Sequence, residues 1–139
     1  MTSSPQAQER NLTLSGMLEG LRILLLEDEF LIAMDVEQLC RDYGAVDVAV
    51  AYSLDEIGDG IDFDAAILDV MVGGVSTFDF ATRLEKAGTP FVFASGYSDI
   101  AEVARRFPAV ALVGKPYAGN DLVTAVAAAC GRIPTSGGA

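Results

Sequence analysis

The sequence has 139 residues, 51% of them hydrophobic, and a formal net charge of −11 at neutral pH. This length is enough for one domain with a buried core, and the negative charge argues against binding to nucleic acid, whose phosphates select basic surfaces. No apolar run reaches the roughly 18 residues of a membrane span, and the N-terminus lacks the order of a secretory signal. These features predict a cytoplasmic protein. Histidine is absent, which excludes Ser-His-Asp triads, histidine metal ligands and a phosphohistidine carrier.

Composition shifts divide the chain into three parts. Residues 1–20 are rich in Ser, Gln, Thr and Gly and are predicted to be a flexible leader, residues 21–133 a single domain, and residues 134–139 a disordered tail. Two cysteines, Cys40 and Cys130, lie beside apolar residues in helical patterns. We interpret them as small buried hydrophobic residues, with a disulfide as the alternative.

Short apolar runs alternate with amphipathic segments along the predicted domain. In chain order, the segments first predict a strand, a helix ended by a glycine and a second strand. A short helix opened by a Ser-x-x-Glu capping box follows, and then a third strand and helix. A fourth strand, a short helix before a proline, a fifth strand and a last helix complete the domain. The strands are Arg22–Leu26, Val46–Ala51, Ala65–Asp69, Phe91–Ala94 and Ala111–Val113. The helices are Phe30–Tyr43, one opening at Ser53, Ser76–Ala87, Ser98–Phe107 and Asn120–Cys130.

Strands that alternate with helices pair in parallel, because each helix provides the crossover to the next strand. Strands this uniformly apolar are also buried on both faces, as parallel strands are. The sequence therefore predicts an α/β fold with a doubly wound, five-stranded parallel sheet of flavodoxin-like order 2-1-3-4-5. A functional site in such a fold is expected at the carboxyl ends of the strands.

Polar side chains stand where four of the predicted strands end. Glu27 and Asp28 follow the first strand, Asp69 ends the third, Ser95 follows the fourth and Lys115 follows the fifth. Two carboxylates about 5 Å apart repel each other by about 3 kcal/mol at an effective dielectric of 20. A hard divalent ion such as Mg²⁺ relieves that repulsion. The cluster favours phosphoryl transfer, with Asp69 as the attacking carboxylate.

These residues, together with the Lys115-Pro116 pair, resemble the receiver domains of response regulators in two-component signalling. The resemblance spans about residues 21–133. It implies that Asp28 binds Mg²⁺ directly and that Glu27 acts mainly through a water molecule. It also implies that Asp69 is both phospho-acceptor and metal ligand, and that the backbone carbonyl of Met71 completes the metal shell.

The remaining roles follow from the same resemblance. Ser95 and Lys115 stand at the positions of the conserved hydroxyl and lysine of receivers and would contact the phosphoryl group. The donor would be a sensor histidine kinase or a histidine phosphotransfer protein. Output would be protein–protein interaction, or service as a phosphate sink, with no DNA-binding output domain. Such a protein is not an enzyme toward external metabolites and catalyses only its own phosphorylation and dephosphorylation.

The run Phe93–Tyr97 reads Phe-Ala-Ser-Gly-Tyr and is similar to the single-domain receiver subgroup nicknamed FAT GUY, with Ser in place of Thr. That subgroup is associated with HWE-type histidine kinases. Two departures from the general receiver pattern stand out. Gly73 replaces a frequent proline and predicts a looser loop, and Leu112 replaces the usual switch aromatic. Ser95 and Tyr97 are the other switch candidates, and we expect phosphorylation to order residues 96–107.

Two alternatives compete with a phosphorylated receiver. A pseudo-receiver would bind partners without phosphorylation, and Leu112 is the main feature in its favour. A haloacid-dehalogenase-like phosphatase also uses an aspartyl nucleophile on a parallel sheet. It carries that residue after the first strand in an Asp-x-Asp pattern, whereas the first strand here leads into Glu27-Asp28-Glu29.

Overall fold

A computed structural model of the protein describes residues 16–58, 62–96, 100–115 and 120–133. Its elements in chain order are β1 (Arg22–Leu26), α1 (Phe30–Asp42), β2 (Asp47–Ala51), a 3₁₀ helix (Leu54–Glu56), β3 (Ala65–Asp69), β4 (Met71–Val72), β5 (Val75–Ser76), α2 (Phe78–Ala87), β6 (Phe91–Ser95), α3 (Ile100–Arg106), β7 (Leu112–Gly114) and α4 (Asp121–Ala129). No helix among these described residues is long and apolar enough to cross a membrane.

Five strands form one parallel sheet in the order β2-β1-β3-β6-β7. Numbered without the two short strands β4 and β5, this is the predicted order 2-1-3-4-5, so the predicted fold class is confirmed. The apolar runs are strands because successive side chains alternate between two faces that are both covered by helices. Ile23 and Leu25 belong to one core, and Leu24 and Leu26 belong to the other.

Each face of the sheet has its own core. Helices α1 and α4 cover one face with buried side chains such as Val36 and Val126. Helix α2 and Val103 of α3 cover the other face, which holds an aromatic cluster. Its rings meet mostly edge-on or tilted at centroid distances of 5.3–6.1 Å. The members of this cluster are Phe78, Phe91, Phe93 and Phe107.

The predicted leader ends earlier than expected. Residues 16–20 form a turn, and Met17 and Leu18 are buried in the core beside α1. The Leu18 N–H donates to the Tyr43 carbonyl at 2.9 Å. The domain therefore includes residues 16–20, because their apolar side chains close the core at the end of α1. The rest of the predicted leader, residues 1–15, and the predicted tail, residues 134–139, lie outside the described residues.

The predicted second helix is only a 3₁₀ turn, Leu54–Glu56, among the residues that are described there. The predicted capping box is wrong as well, because the Ser53 side chain makes no cap hydrogen bond. Glu56 instead accepts a hydrogen bond from the Tyr52 N–H at 3.1 Å. Gly58, two residues after this turn, has a φ of 73°, which a right-handed helix does not contain.

Candidate functional site

The carboxyl ends of the parallel strands bring the predicted polar residues together. Glu27 and Asp28 follow β1, Asp69 is the last residue of β3, and Lys115 follows β7. Because β1, β3, β6 and β7 are consecutive in the sheet and run in parallel, their ends share one edge. Carboxylate oxygens of Glu27, Asp28 and Asp69 lie within 4.8 Å of one another. We call these three residues the acidic pocket.

Lys115 joins two members of the acidic pocket. Its ammonium nitrogen Nζ lies 2.8 Å from Glu27 Oε1 and 2.8 Å from Asp69 Oδ2. Partial burial lowers the pKa of Lys115, but the hydrogen bonds from its ammonium to Asp69 and Glu27 outweigh that effect and raise the pKa above its ordinary value. The side chain is therefore a fixed positive charge at neutral pH.

Glu27 is the most deeply buried member of the acidic pocket, with 2% of its surface exposed. Its two carboxylate oxygens have different donors: Lys115 Nζ on Oε1 and the Glu29 N–H, at 3.0 Å, on Oε2. A buried carboxylate needs such donors, because desolvation otherwise favours its neutral form. Glu27 thus holds the lysine in place, while Asp69 keeps 13% of its side-chain surface exposed.

The donor chemistry of the acidic pocket fits a hard divalent cation. Three carboxylates and one ammonium leave two negative charges, which a divalent ion would neutralise. Oxygen donors of this kind are the ligands that Mg²⁺ prefers. The residues that would hold the ion are Asp28 and Asp69 directly and Glu27 through a water molecule, the roles that the resemblance to receivers implies.

Met71 begins a hairpin, β4–β5, directly after the end of β3. Gly73 and Gly74, for which the sequence predicts a looser loop, form the turn of this hairpin. Both glycines have positive φ, 59° and 78°, as the two central residues of a type I′ turn require. Gly73 also donates its N–H to Asp28 Oδ2 at 2.8 Å. The hairpin tip therefore lies against the acidic pocket.

The switch candidates lie on the next strands. Ser95 ends β6 and is buried, and its carbonyl accepts the Lys115 N–H at 3.0 Å. Leu112 begins β7 and packs, partly buried, against the core that contains the aromatic cluster. Tyr97 and Pro116 lie outside the described residues, so the role of Tyr97 stays a prediction.

Sequence reasoning did not identify Thr77. Its side chain is fully buried and its hydroxyl lies 2.6 Å from the Asp69 carbonyl oxygen. The only sequence signal is a Thr directly before a helical pattern, which is typical of an ordinary helix N-cap. Its contact with the strand that carries Asp69 depends on the hairpin between them, which folds residue 77 back onto residue 69.

Solved structures of response-regulator receiver domains share this fold. The receiver domain of the PhyR response regulator from Erythrobacter litoralis has a TM-score of 0.67 with this chain at 23% identity, covering 87% of this chain and 99% of that one. The N-terminal signal receiver domain of a two-component response regulator from Bacteroides fragilis has a TM-score of 0.67 at 18% identity, covering 78% and 95%. The anti-anti-sigma factor PhyR from Bartonella quintana has a TM-score of 0.68 at 18% identity, covering 91% and 53%. The chain therefore folds as a response-regulator receiver domain.

The chain is also similar in sequence to a curated bacterial regulatory protein. The transcriptional regulatory protein PdtaR of Mycobacterium tuberculosis is 32% identical over 123 residues, which is 80% of this chain. The match spans 57% of the length of PdtaR, so the activity of the whole relative does not transfer. No protein-family model matches the chain. The finer assignment to the FAT GUY subgroup stays a prediction.

Proposed function

We propose that this protein is a phospho-acceptor that takes a phosphoryl group onto Asp69 in a Mg²⁺-dependent reaction. The observation that carries this proposal is the pair of 2.8 Å contacts of Lys115 Nζ with Asp69 and Glu27, beside Asp28. The arrangement joins a nucleophilic carboxylate, a fixed cation and donors for a divalent ion at one sheet edge. Lys115 is thus held within reach of any group that is attached to Asp69.

The transfer itself needs little from the protein beyond positioning and charge. A carboxylate oxygen of Asp69 forms a bond to phosphorus, and the bond between phosphorus and the leaving atom of the donor breaks. With a phosphohistidine donor the leaving atom is an imidazole nitrogen, which keeps the electron pair and takes up a proton. The product is an acyl phosphate. Mg²⁺ held by Asp28 and Asp69 would supply positive charge that stabilises the transferring phosphoryl group.

Lys115 and Ser95 act on the same group in this proposal. The Lys115 ammonium donates a hydrogen bond to one phosphoryl oxygen, and the Ser95 hydroxyl donates to another. Glu27 keeps the ammonium in position, because it is buried and hydrogen-bonded from two sides. The lysine therefore does not leave the pocket when the charge on Asp69 changes.

The donor in the cell is a sensor histidine kinase, of the HWE type if the subgroup assignment is correct, or a histidine phosphotransfer protein. The receiver fold that the chain shares with PhyR and other response regulators supports this choice. Output is binding to a downstream protein, or loss of the phosphoryl group as a phosphate sink. A cytoplasmic location is part of the proposal, since both cysteines are free, as thiols are in reducing compartments. The protein transforms no external metabolite.

Intact mass after incubation with acetyl phosphate tests the proposal. Wild type with Mg²⁺ gains one phosphoryl group, and the gain disappears when Mg²⁺ is chelated. Asp69→Asn gains nothing, whereas Asp79→Asn, which alters an exposed acid on α2, behaves as wild type. Wild type could instead bind Mg²⁺ and yet gain no phosphoryl group, either from acetyl phosphate or from a phosphorylated histidine kinase. That result would replace this proposal with the pseudo-receiver, which binds partners without phosphorylation.

A further inference from the structure

Thr77 contacts the backbone of the strand that carries Asp69. Its side chain has no exposed surface. The hydroxyl lies 2.6 Å from the Asp69 carbonyl oxygen and 3.1 Å from the Val70 carbonyl oxygen. The Thr77 N–H donates to the same Val70 oxygen at 2.9 Å. One residue thus supplies hydrogen-bond donors to two successive carbonyls at the end of β3.

This use of the hydroxyl is unusual for its position. Thr77 is the N-cap of α2, where a threonine side chain ordinarily accepts a hydrogen bond from the second or third helical N–H. No such cap hydrogen bond is present at Thr77. The first helical N–H, that of Phe78, bonds to Ser76 Oγ at 3.2 Å. The Thr77 hydroxyl is therefore directed back to the strand and not forward to the helix.

The backbone hydrogen bond from Thr77 also indicates the direction of the Met71 carbonyl. Residues that face each other in an antiparallel pair alternate between hydrogen-bonded and non-hydrogen-bonded pairs. Thr77 bonds to Val70, so the next pair, Met71 and Ser76, is the non-hydrogen-bonded kind. The carbonyl of Met71 consequently points away from Ser76 and faces outward from the hairpin.

We propose that Thr77 is a positioning residue for the acidic pocket. Its buried hydroxyl holds the Asp69 carbonyl, while its N–H holds the Val70 carbonyl, so that the Asp69 carboxylate and the Met71 carbonyl face one cation. The role rests on the proposed Mg²⁺-dependent function. It acts through the backbone, and Thr77 itself touches neither the cation nor the phosphoryl group.

Mg²⁺ binding measured by isothermal titration calorimetry, without a phosphodonor, tests this role. Thr77→Val removes the hydroxyl at nearly constant volume, and we expect a loss of about tenfold in Mg²⁺ affinity, the usual scale for groups that orient metal ligands. Thr77→Ser keeps the hydroxyl and is expected to retain wild-type affinity. The matched control is Thr82→Val, which removes a hydroxyl that bonds at 3.0 Å to the Phe78 carbonyl within α2.

Each outcome of the Mg²⁺ titrations either supports or overturns the positioning role of Thr77. Equal Mg²⁺ affinity of wild type and folded Thr77→Val would overturn the positioning role and leave the proposed function intact. Equal losses in the Val and Ser variants would overturn it as well, since the hydroxyl would not be the cause. Wild type that binds no Mg²⁺ would overturn both proposals. If thermal unfolding shows that Thr77→Val does not fold, Thr77→Ala takes its place, because it brings no methyl group against the two carbonyls.

Discussion

The backbone N–H of Gly73 donates a 2.8 Å hydrogen bond to Oδ2 of Asp28, and so joins the tip of the β4–β5 hairpin to the residue that the receiver resemblance makes a direct metal ligand. The two residues belong to different strand ends and meet only because β1 and β3 are neighbours in the sheet. The hairpin is held at its other end by Thr77. The segment after Asp69 is thus attached to the acidic pocket at both ends.

Gly73→Ala should disturb Asp28 through this contact. The φ of 59° at Gly73 lies in the left-handed region, where an alanine costs roughly 1–2 kcal/mol. We expect a free energy of unfolding lower by about 1 kcal/mol together with weaker Mg²⁺ binding, measured by urea unfolding and calorimetry. Gly58→Ala is the control, since Gly58 has a similar φ of 73° and a side chain has open space at both positions. Equal Mg²⁺ affinity in the two variants would contradict this link.

Lys115→Ala should destabilise the metal-free protein and make it more dependent on Mg²⁺. The substitution leaves Glu27, which is 2% exposed, without its cation. Removing one partner of a buried ion pair costs about 3 kcal/mol. We expect Mg²⁺ to raise the melting temperature of Lys115→Ala more than that of wild type, because the acidic pocket then lacks its only internal cation among the described residues. A smaller rise than in wild type would count against the pocket as the binding site.

The same ion pairs predict how stability depends on pH. Because the pKa of Lys115 is raised above its ordinary value of 10.5 in the folded state, its stabilisation is complete below pH 10.5 and is lost as the pH rises through the folded pKa. The difference in unfolding free energy between wild type and Lys115→Ala should therefore be constant from about pH 7 to 9 and shrink above pH 10.5. Lys86→Ala, which alters an exposed lysine on α2, should show no such change. A difference that already shrinks below pH 9 would contradict the raised pKa.

The two cysteines should differ in reactivity. Burial raises the pKa of Cys40 to about 12, and burial also raises the pKa of the half-buried Cys130. The thiolate is the reactive form, so both thiols are slow at pH 8, and Cys40 should react only after unfolding. Labelling with a disulfide reagent, monitored by intact mass in wild type and Cys130→Ser, tests which cysteine reacts first. Faster labelling of Cys40 than of Cys130 would show that α1 opens more readily than its burial indicates.

Phosphorylation should slow amide exchange in α3, as the sequence predicts for residues 96–107. Leu112 stands where receivers usually carry a switch aromatic, so the signal is expected to pass to the neighbouring segment. Helix α3 has seven residues and buries only Val103, which makes it a helix of low local stability. Exchange measured with and without beryllofluoride and Mg²⁺ should show protection over Ile100–Arg106. Unchanged exchange, or the same change in Asp69→Asn, would eliminate this switch.

The amino-acid sequence alone was enough to predict the main sheet and the residues at its edge. Runs such as Arg22–Leu26 and Ala65–Asp69 are apolar on both faces, which is typical of buried parallel strands. Because parallel strands all end at the same edge, the acids after β1 and β3 and the lysine after β7 had to meet there. The prediction of Lys115 beside Asp69 required no knowledge of side-chain contacts.

The tertiary structure alone decided the features that depend on contacts between distant segments. Leu18 lies in the core because the end of α1 leaves an apolar surface that the leader covers. The Gly73-Gly74 loop is the turn of a hairpin whose tip bonds to Asp28 and whose base bonds through Thr77 to Asp69. Local sequence patterns report periodicity and turn preference. They do not report which buried carbonyl or carboxylate a given N–H or hydroxyl will meet, since such partners are set by how the strands and the hairpin pack together.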